Sequence, residues 1–118
     1  MNRSIVLDKA KKFASRIWKL REYLEKEKKE YHVSGQLFRS GTSIGANVAE
    51  SVYAASSADF INKLQIALKE ASETEYWVDL LKDNDLLNDE EYSSITADCK
   101  ELLKILISSI NSNKRKKI

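Results

Sequence analysis

At 118 residues the chain has the length of one domain and can bury a core without staples. It has no proline, three glycines and a single cysteine, Cys99, which argues against an all-β or α/β fold and excludes an intrachain disulfide or a Cys-rich metal site. The net charge of +2 is uneven: residues 1–31 hold ten basic and five acidic side chains, residues 56–84 three and six, residues 85–113 two and six, and Lys114-Arg-Lys-Lys117 ends the chain with four cations.

The first predicted element carries Val6, Ala10, Phe13, Ile17, Leu20 and Leu24 at alternating steps of four and three. Those steps lay one apolar stripe along a helix from about residue 4 to about residue 30. Gly35, after Ser34, is read as the break, and His32, the only histidine, as an exposed linker residue between two helices. A second helix is expected over residues 35–54, with Leu37, Gly41, Ile44 and Val48 on its stripe. The third, over 57–83, is the clearest: Phe60, Leu64, Ala67, Ala71, Thr74, Val78 and Leu81 keep the heptad spacing without a skip. Asn88-Asp-Glu-Glu91 reads as a capping box opening a fourth helix over 89–111, with Tyr92, Ile95, Cys99, Leu102 and Leu106 on its stripe. Residues 112–118 are expected to form a basic tail, with fraying from Asn111 on.

Four amphipathic helices with short connections predict an all-α fold, an antiparallel up-and-down four-helix bundle in a single domain. Trp18, Phe38, Tyr53, Tyr76 and Trp77 lie off the core stripes. That many large side chains outside a small core point to a second buried surface, between copies of the chain.

Residues 39–51 hold two of the three glycines within an otherwise helical pattern. A phosphate loop needs a preceding strand and a lysine followed by Ser or Thr after the last glycine, and here Gly45 is followed by Ala46-Asn47. Gly41, Gly45 and Ala49, at intervals of four, instead form a row of small residues that lets two helix backbones approach closely. Arg39, Ser43, Asn47 and Glu50 make a polar stripe beside that row, and Glu70 and Glu73 share a face of the third helix. An ion pair from Arg39 to Glu70 or Glu73 that fixes helix register is the expected arrangement, with a polar ligand pocket as its rival.

With one histidine and one cysteine, no triad, no His-based metal cage and no carboxylate-bridged di-iron site can be assembled. No catalytic residue, metal or cofactor is expected, and the chain is read as a non-enzyme. The N-terminal apolar run is too short for a signal peptide, and no stretch approaches a membrane span, so the cytoplasm is the expected compartment and no membrane partner is expected.

Lys9, Lys12, Arg16 and Lys19 recur at steps of three, four and three along one edge of the first helix. Together with Lys114, Arg115, Lys116 and Lys117 they form the candidate site for RNA or DNA. A solvated face is the competing reading of the stripe, and a scaffold for a protein partner, with no nucleic-acid contact, is the competing reading of the whole.

Two motifs then resemble a known family. Leu37-Phe-Arg-Ser-Gly-Thr-Ser-Ile-Gly-Ala-Asn-Val-Ala-Glu50 and the run from Ala58-Asp-Phe-Ile-Asn to Glu73-Thr-Glu-Tyr-Trp77 are similar to the bacterial four-helix-bundle proteins encoded in 23S rRNA intervening sequences. The likeness extends to Phe13-Ala14 in the first helix and Cys99-Lys-Glu-Leu-Leu103 in the last. It implies a left-handed bundle that assembles as a homo-oligomer, a pentameric ring by analogy with related members. The accessory variability proteins of diversity-generating retroelements are similar in fold; they are basic pentameric barrels that bind nucleic acid and a reverse transcriptase. Arg39, Ser43, Asn47, Glu50, Glu70 and Glu73 match the family pattern, and no catalytic residue comes with it.

Overall fold

Apolar stripes at helical spacing become four helices, α1 (Arg3–Lys26), α2 (His32–Ser51), α3 (Ser57–Asp83) and α4 (Asp89–Arg115). The structure is a computed structural model and describes residues 3–115, with side chains from residue 5 to residue 114. It is a rod of 50 × 22 × 19 Å.

Each helix packs on its neighbours in chain order, and α1 closes the ring against α4. Contacts fix the directions. Along α2 and α3, Ser40 meets Thr74 and Glu50 meets Lys63, so one number falls as the other rises. Ile17 with Gly41 and Ala10 with Gly45 do the same for α1 and α2. Ala71 with Cys99, Asp79 with Tyr92 and Lys82 with Asp89 do it for α3 and α4. Adjacent helices are therefore antiparallel.

The core follows the predicted stripes: Phe13, Ile17 and Leu24 from α1, Leu37, Ile44 and Val48 from α2, Leu64, Val78 and Leu81 from α3, and Leu102 and Leu106 from α4 are almost wholly buried. Leu20 and Tyr92 are only partly buried, and Ile61 and Leu87 join the core from outside the stripes. Within it Ser40 and Thr74 share a hydrogen bond at 2.9 Å, and the Thr74 hydroxyl also lies 2.8 Å from the Glu70 carbonyl of its own helix. A buried hydroxyl without a partner is unfavourable, so this pair fixes where α2 sits along α3.

The helix ends explain where expectation and structure part. α1 stops at Lys26 rather than near residue 30. Lys29 takes a left-handed backbone with φ 57°, and the Glu30 N–H reaches back to the Leu24 carbonyl at 3.0 Å, which folds the chain over the end of α1. α2 then begins at His32, upstream of Gly35. Its start is set by Glu30, whose carboxylate accepts from the backbone N–H groups of His32, Val33 and Ser34 at 3.0, 3.0 and 2.7 Å. Gly35 is thus not the break but a residue of the first turn, and His32 is not in a linker. Burial raises the Glu30 pKa, yet the three N–H donors outweigh it and hold the carboxyl below its ordinary value.

The other ends follow their caps. The Ser56 hydroxyl accepts from Asp59 N–H, while Asp59 accepts from Ala55 N–H, both at 3.1 Å. Asn88 and Glu91 form the expected reciprocal box, at 2.7 and 2.8 Å. α4 does not fray from Asn111 but continues to Arg115. Ser109 and Ile110 are still buried there, and Asn113 donates to the Ser109 carbonyl at 2.7 Å.

Candidate nucleic-acid interface

Lys9, Lys12, Arg16 and Lys19 of α1 fall into two pairs, because residues seven apart lie on one line of a helix. Lys9 and Arg16 lie on the edge that meets α4. Lys9 Nζ is 3.3 Å from Glu101 Oε2, and Arg16 Nη1 is 2.6 Å from Asp98 Oδ2. Arg16 also donates to the Ser94 hydroxyl at 3.0 Å. Lys12 and Lys19 are exposed and have no acidic partner among the described residues. Half of the predicted stripe is therefore neutralised by α4 and half points to solvent. Lys114 is exposed at the end of α4. The Arg115 side chain, Lys116 and Lys117 lie outside the described residues.

The structure distributes charge along the rod. Between the Ala10–Gly45 and Ile17–Gly41 contacts the bundle divides into two halves. Among the described residues, the half made of 3–14, 45–68 and 102–115 has eight basic and three acidic residues; the other half has ten and fifteen. Lys11 and Lys104 belong to the basic half and were not singled out in the sequence. Neither lies in a stripe with the others, and only the antiparallel arrangement of α1 and α4 brings them to one end.

Beside this end run the small-residue seam and the polar stripe of α2. A Cβ on Gly41 would lie 2.9 Å from Ile17 Cγ1, and one on Gly45 would lie 3.5 Å from the Ala10 Cβ. Ala49 continues the row, half-buried. Arg39 is salt-bridged to Glu73 and, at 3.4 Å, to Glu70. Ser43 donates to the Arg39 carbonyl at 2.6 Å and Asn47 to the Ser43 carbonyl at 2.9 Å. Glu50 takes Lys63 of α3 at 3.0 Å. The Trp77 indole N–H, 3.1 Å from Glu73, lowers that carboxyl's pKa; burial opposes the shift and Arg39 reinforces it. The stripe thus joins α2 to α3, and its charged groups answer one another.

Burial first, then the negative charges of Glu75 and Asp79, push the Cys99 thiol up to about 12, and its Sγ donates to the Ala71 carbonyl at 3.4 Å. A thiol held that high is protonated at neutral pH and a poor nucleophile. No group of three His, Cys, Asp or Glu side chains that could hold a metal ion occurs among the described residues, and none of their helices is long and apolar enough to cross a membrane.

Two of the aromatic side chains off the core stripes, Trp18 and Phe38, meet between α1 and α2. Trp18, 58% exposed, meets the Phe38 ring edge-on at 5.5 Å, and the Arg21 guanidinium lies 4.7 Å from the Phe38 centroid. Ala14, Trp18, Lys19, Phe38 and Thr42 line an open groove of about 550 Å³ between α1 and α2.

Residues 2–108 match the sequence model of the 23S rRNA-intervening sequence proteins. The chain belongs to that family. A solved structure from Bacteroides thetaiotaomicron, described as a protein of unknown function from the S23 ribosomal protein family, is 52% identical. It aligns over 94% of this chain and 99% of its own with a TM-score of 0.92. A search of curated proteins gave no match. In this member of the intervening-sequence family, the Arg39–Glu70–Glu73 cluster and the glycine seam therefore sit within a bundle shared with that relative.

Proposed function

We propose that this chain is a non-enzymatic helical bundle that self-associates in the cytoplasm and binds nucleic acid through its basic end. The observation that carries the reading is the segregation of charge along the rod: eight cations against three anions among the described residues of one half, with Lys12 and Lys114 exposed within it. A phosphate backbone is the polyanion such an end attracts, by release of condensed counterions. Lys12 and the tail are the contact residues of that end in this reading, and Lys19, on the same line of α1 as Lys12, extends the contact past it, while Lys9 and Arg16 are partly spent on α4. Self-association is supported by the exposed Trp18–Phe38 groove, and the pentameric ring implied by the resemblance to accessory variability proteins is the proposed assembly. Copies arranged with their basic ends together add their fields.

Binding to a structured RNA, followed across salt concentrations, tests the reading. Affinity is expected to fall steeply with salt, and replacing Lys12, Lys19 and Lys114 to reduce the slope by roughly two to three. Salt-insensitive or absent binding to both RNA and DNA overturns it. Solution mass tests the assembly, and a monomer of 13.5 kDa overturns that part.

One observation favours a second reading, a scaffold for a protein partner. The groove beside Trp18 is mainly apolar, and Asp98 and Glu101 neutralise part of the basic stripe. A scaffold keeps its partner when Lys12 and Lys19 are replaced and loses it when Trp18 is.

A further inference from the structure

The turn between α2 and α3 lies at the basic end of the rod. After Ser51 the backbone closes three short bonds: Val52 N–H to the Ala49 carbonyl, Tyr53 to Glu50 and Ala54 to Ser51, at 3.3, 3.1 and 3.2 Å. Ser56 and Asp59 cap the helix that follows. The turn is therefore held by its own hydrogen bonds. It presents Tyr53, whose exposure of 89% exceeds that of every other large apolar or aromatic side chain described. Val52 beside it is also exposed, and from Ser51 to Ala58 there is no charged residue.

An isolated exposed tyrosine needs no explanation. Its surroundings set this one apart. The α3–α4 register, in which residue numbers of facing pairs add to about 170, brings Ser57 level with Asn113 and Lys114. Lys114, exposed, thus lies at the same end as Tyr53. Tyr76, also exposed, lies in the acidic half. An aromatic ring open on its faces, on a hydrogen-bonded turn at the end where cations outnumber anions eight to three among the described residues, matches the two requirements of single-strand recognition: cations for phosphates and a flat apolar surface for a base. In a duplex the bases are stacked on one another and offer no free face.

We infer that the basic end takes single-stranded nucleic acid, or an unpaired stretch of RNA, in preference to duplex, with one base stacked on Tyr53. This rests on the proposed nucleic-acid function and adds to it the strandedness of the ligand and the residue that reads it. Stacking on one aromatic side chain changes affinity by about 5- to 150-fold.

The experiment uses the full chain and fluorescence anisotropy with oligo(dT) and with a mixed-sequence duplex of equal length, each across a salt series. Single strand is expected to bind more tightly than duplex. Tyr53→Ala is expected to weaken single-strand binding about tenfold and to leave duplex binding and the salt slope unchanged. Tyr53→Phe keeps the ring and should keep the affinity; Tyr76→Ala should change nothing. Because Tyr53 is almost fully exposed, its variants should retain the wild-type circular dichroism and melting curve, which is checked alongside. Equal binding of both forms with no effect of Tyr53→Ala overturns the stacking site and leaves the proposed function intact. Absence of salt-sensitive binding to either form overturns both.

Discussion

Gly41 packs against Ile17 so closely that a Cβ at position 41 would meet Cγ1 at 2.9 Å and Cγ2 at 3.0 Å. Those atoms belong to a β-branched side chain that is fully buried, so they have little freedom to retreat. Gly41→Ala is expected to destabilise the fold by about 1–3 kcal/mol through overpacking, less the helix propensity that alanine adds. Gly45→Ala meets Ala10 at 3.5 Å, ordinary contact, and should be near neutral or stabilising. Gly35→Ala meets nothing within 4 Å and should stabilise by about 0.5–1 kcal/mol. Urea unfolding of the three variants checks the order; equal effects at 41 and 45 would contradict it.

Glu30 should govern part of the acid stability. Its carboxyl is held below its ordinary value in the fold, so it contributes stability that is complete above the unfolded pKa. That contribution disappears as pH falls through the lowered folded value. Glu30→Gln is expected to lose about 1–2 kcal/mol near neutral pH, a capping loss, and to flatten the acid limb of the stability profile. Chemical denaturation from about pH 3 to 7 checks both effects, since the ordinary glutamate value lies near 4.3.

Thr74 and Ser40 should be coupled. Thr74→Val leaves the Ser40 hydroxyl with only its 3.3 Å contact to the Leu37 carbonyl, and should cost about 1–3 kcal/mol. Adding Ser40→Ala removes the second buried oxygen, so the double variant should be more stable than the sum of the single losses predicts. A double-mutant cycle measures the difference.

Cys99 should be inert in the native protein. It is buried and its thiol sits at about 12. Alkylation by a maleimide at neutral pH is expected to follow unfolding, with a rate that rises along the urea transition. Rapid labelling without denaturant would contradict the packing around it.

The α4 carboxylates should restrain nucleic-acid binding. Asp98→Asn with Glu101→Gln releases Arg16 and Lys9 from their salt bridges. Affinity for nucleic acid is expected to rise at low salt and the salt slope to steepen by about one to two phosphate contacts. No change would remove Lys9 and Arg16 from the interface.

The four helices were legible because their stripes keep one period for several turns, and the box at Asn88 and Glu91 was legible because it is local in sequence. The α1–α2 turn was not. Lys29 takes a left-handed backbone that its side chain gives no hint of, and Glu30 caps α2 from outside the helix. Gly35, the obvious punctuation mark, turned out to be an ordinary helical residue. At the candidate site, Lys12 and Lys114 stand out in the chain itself. That Asp98 and Glu101 face Lys9 and Arg16, or that Tyr53 shares an end with Lys114, depends on how distant segments align. The spacing within one helix holds no such information.

The separation of charge along a 50 Å rod affects encounters before any contact forms. In the field of a polyanion such a body experiences a torque that turns its cationic end forward. Fewer collisions are then wasted on the wrong face, and the association rate rises at low ionic strength. Screening within about 10 Å at 0.1 M salt shortens the range of this orientation, so salt acts on how quickly the right end arrives as well as on how firmly it holds.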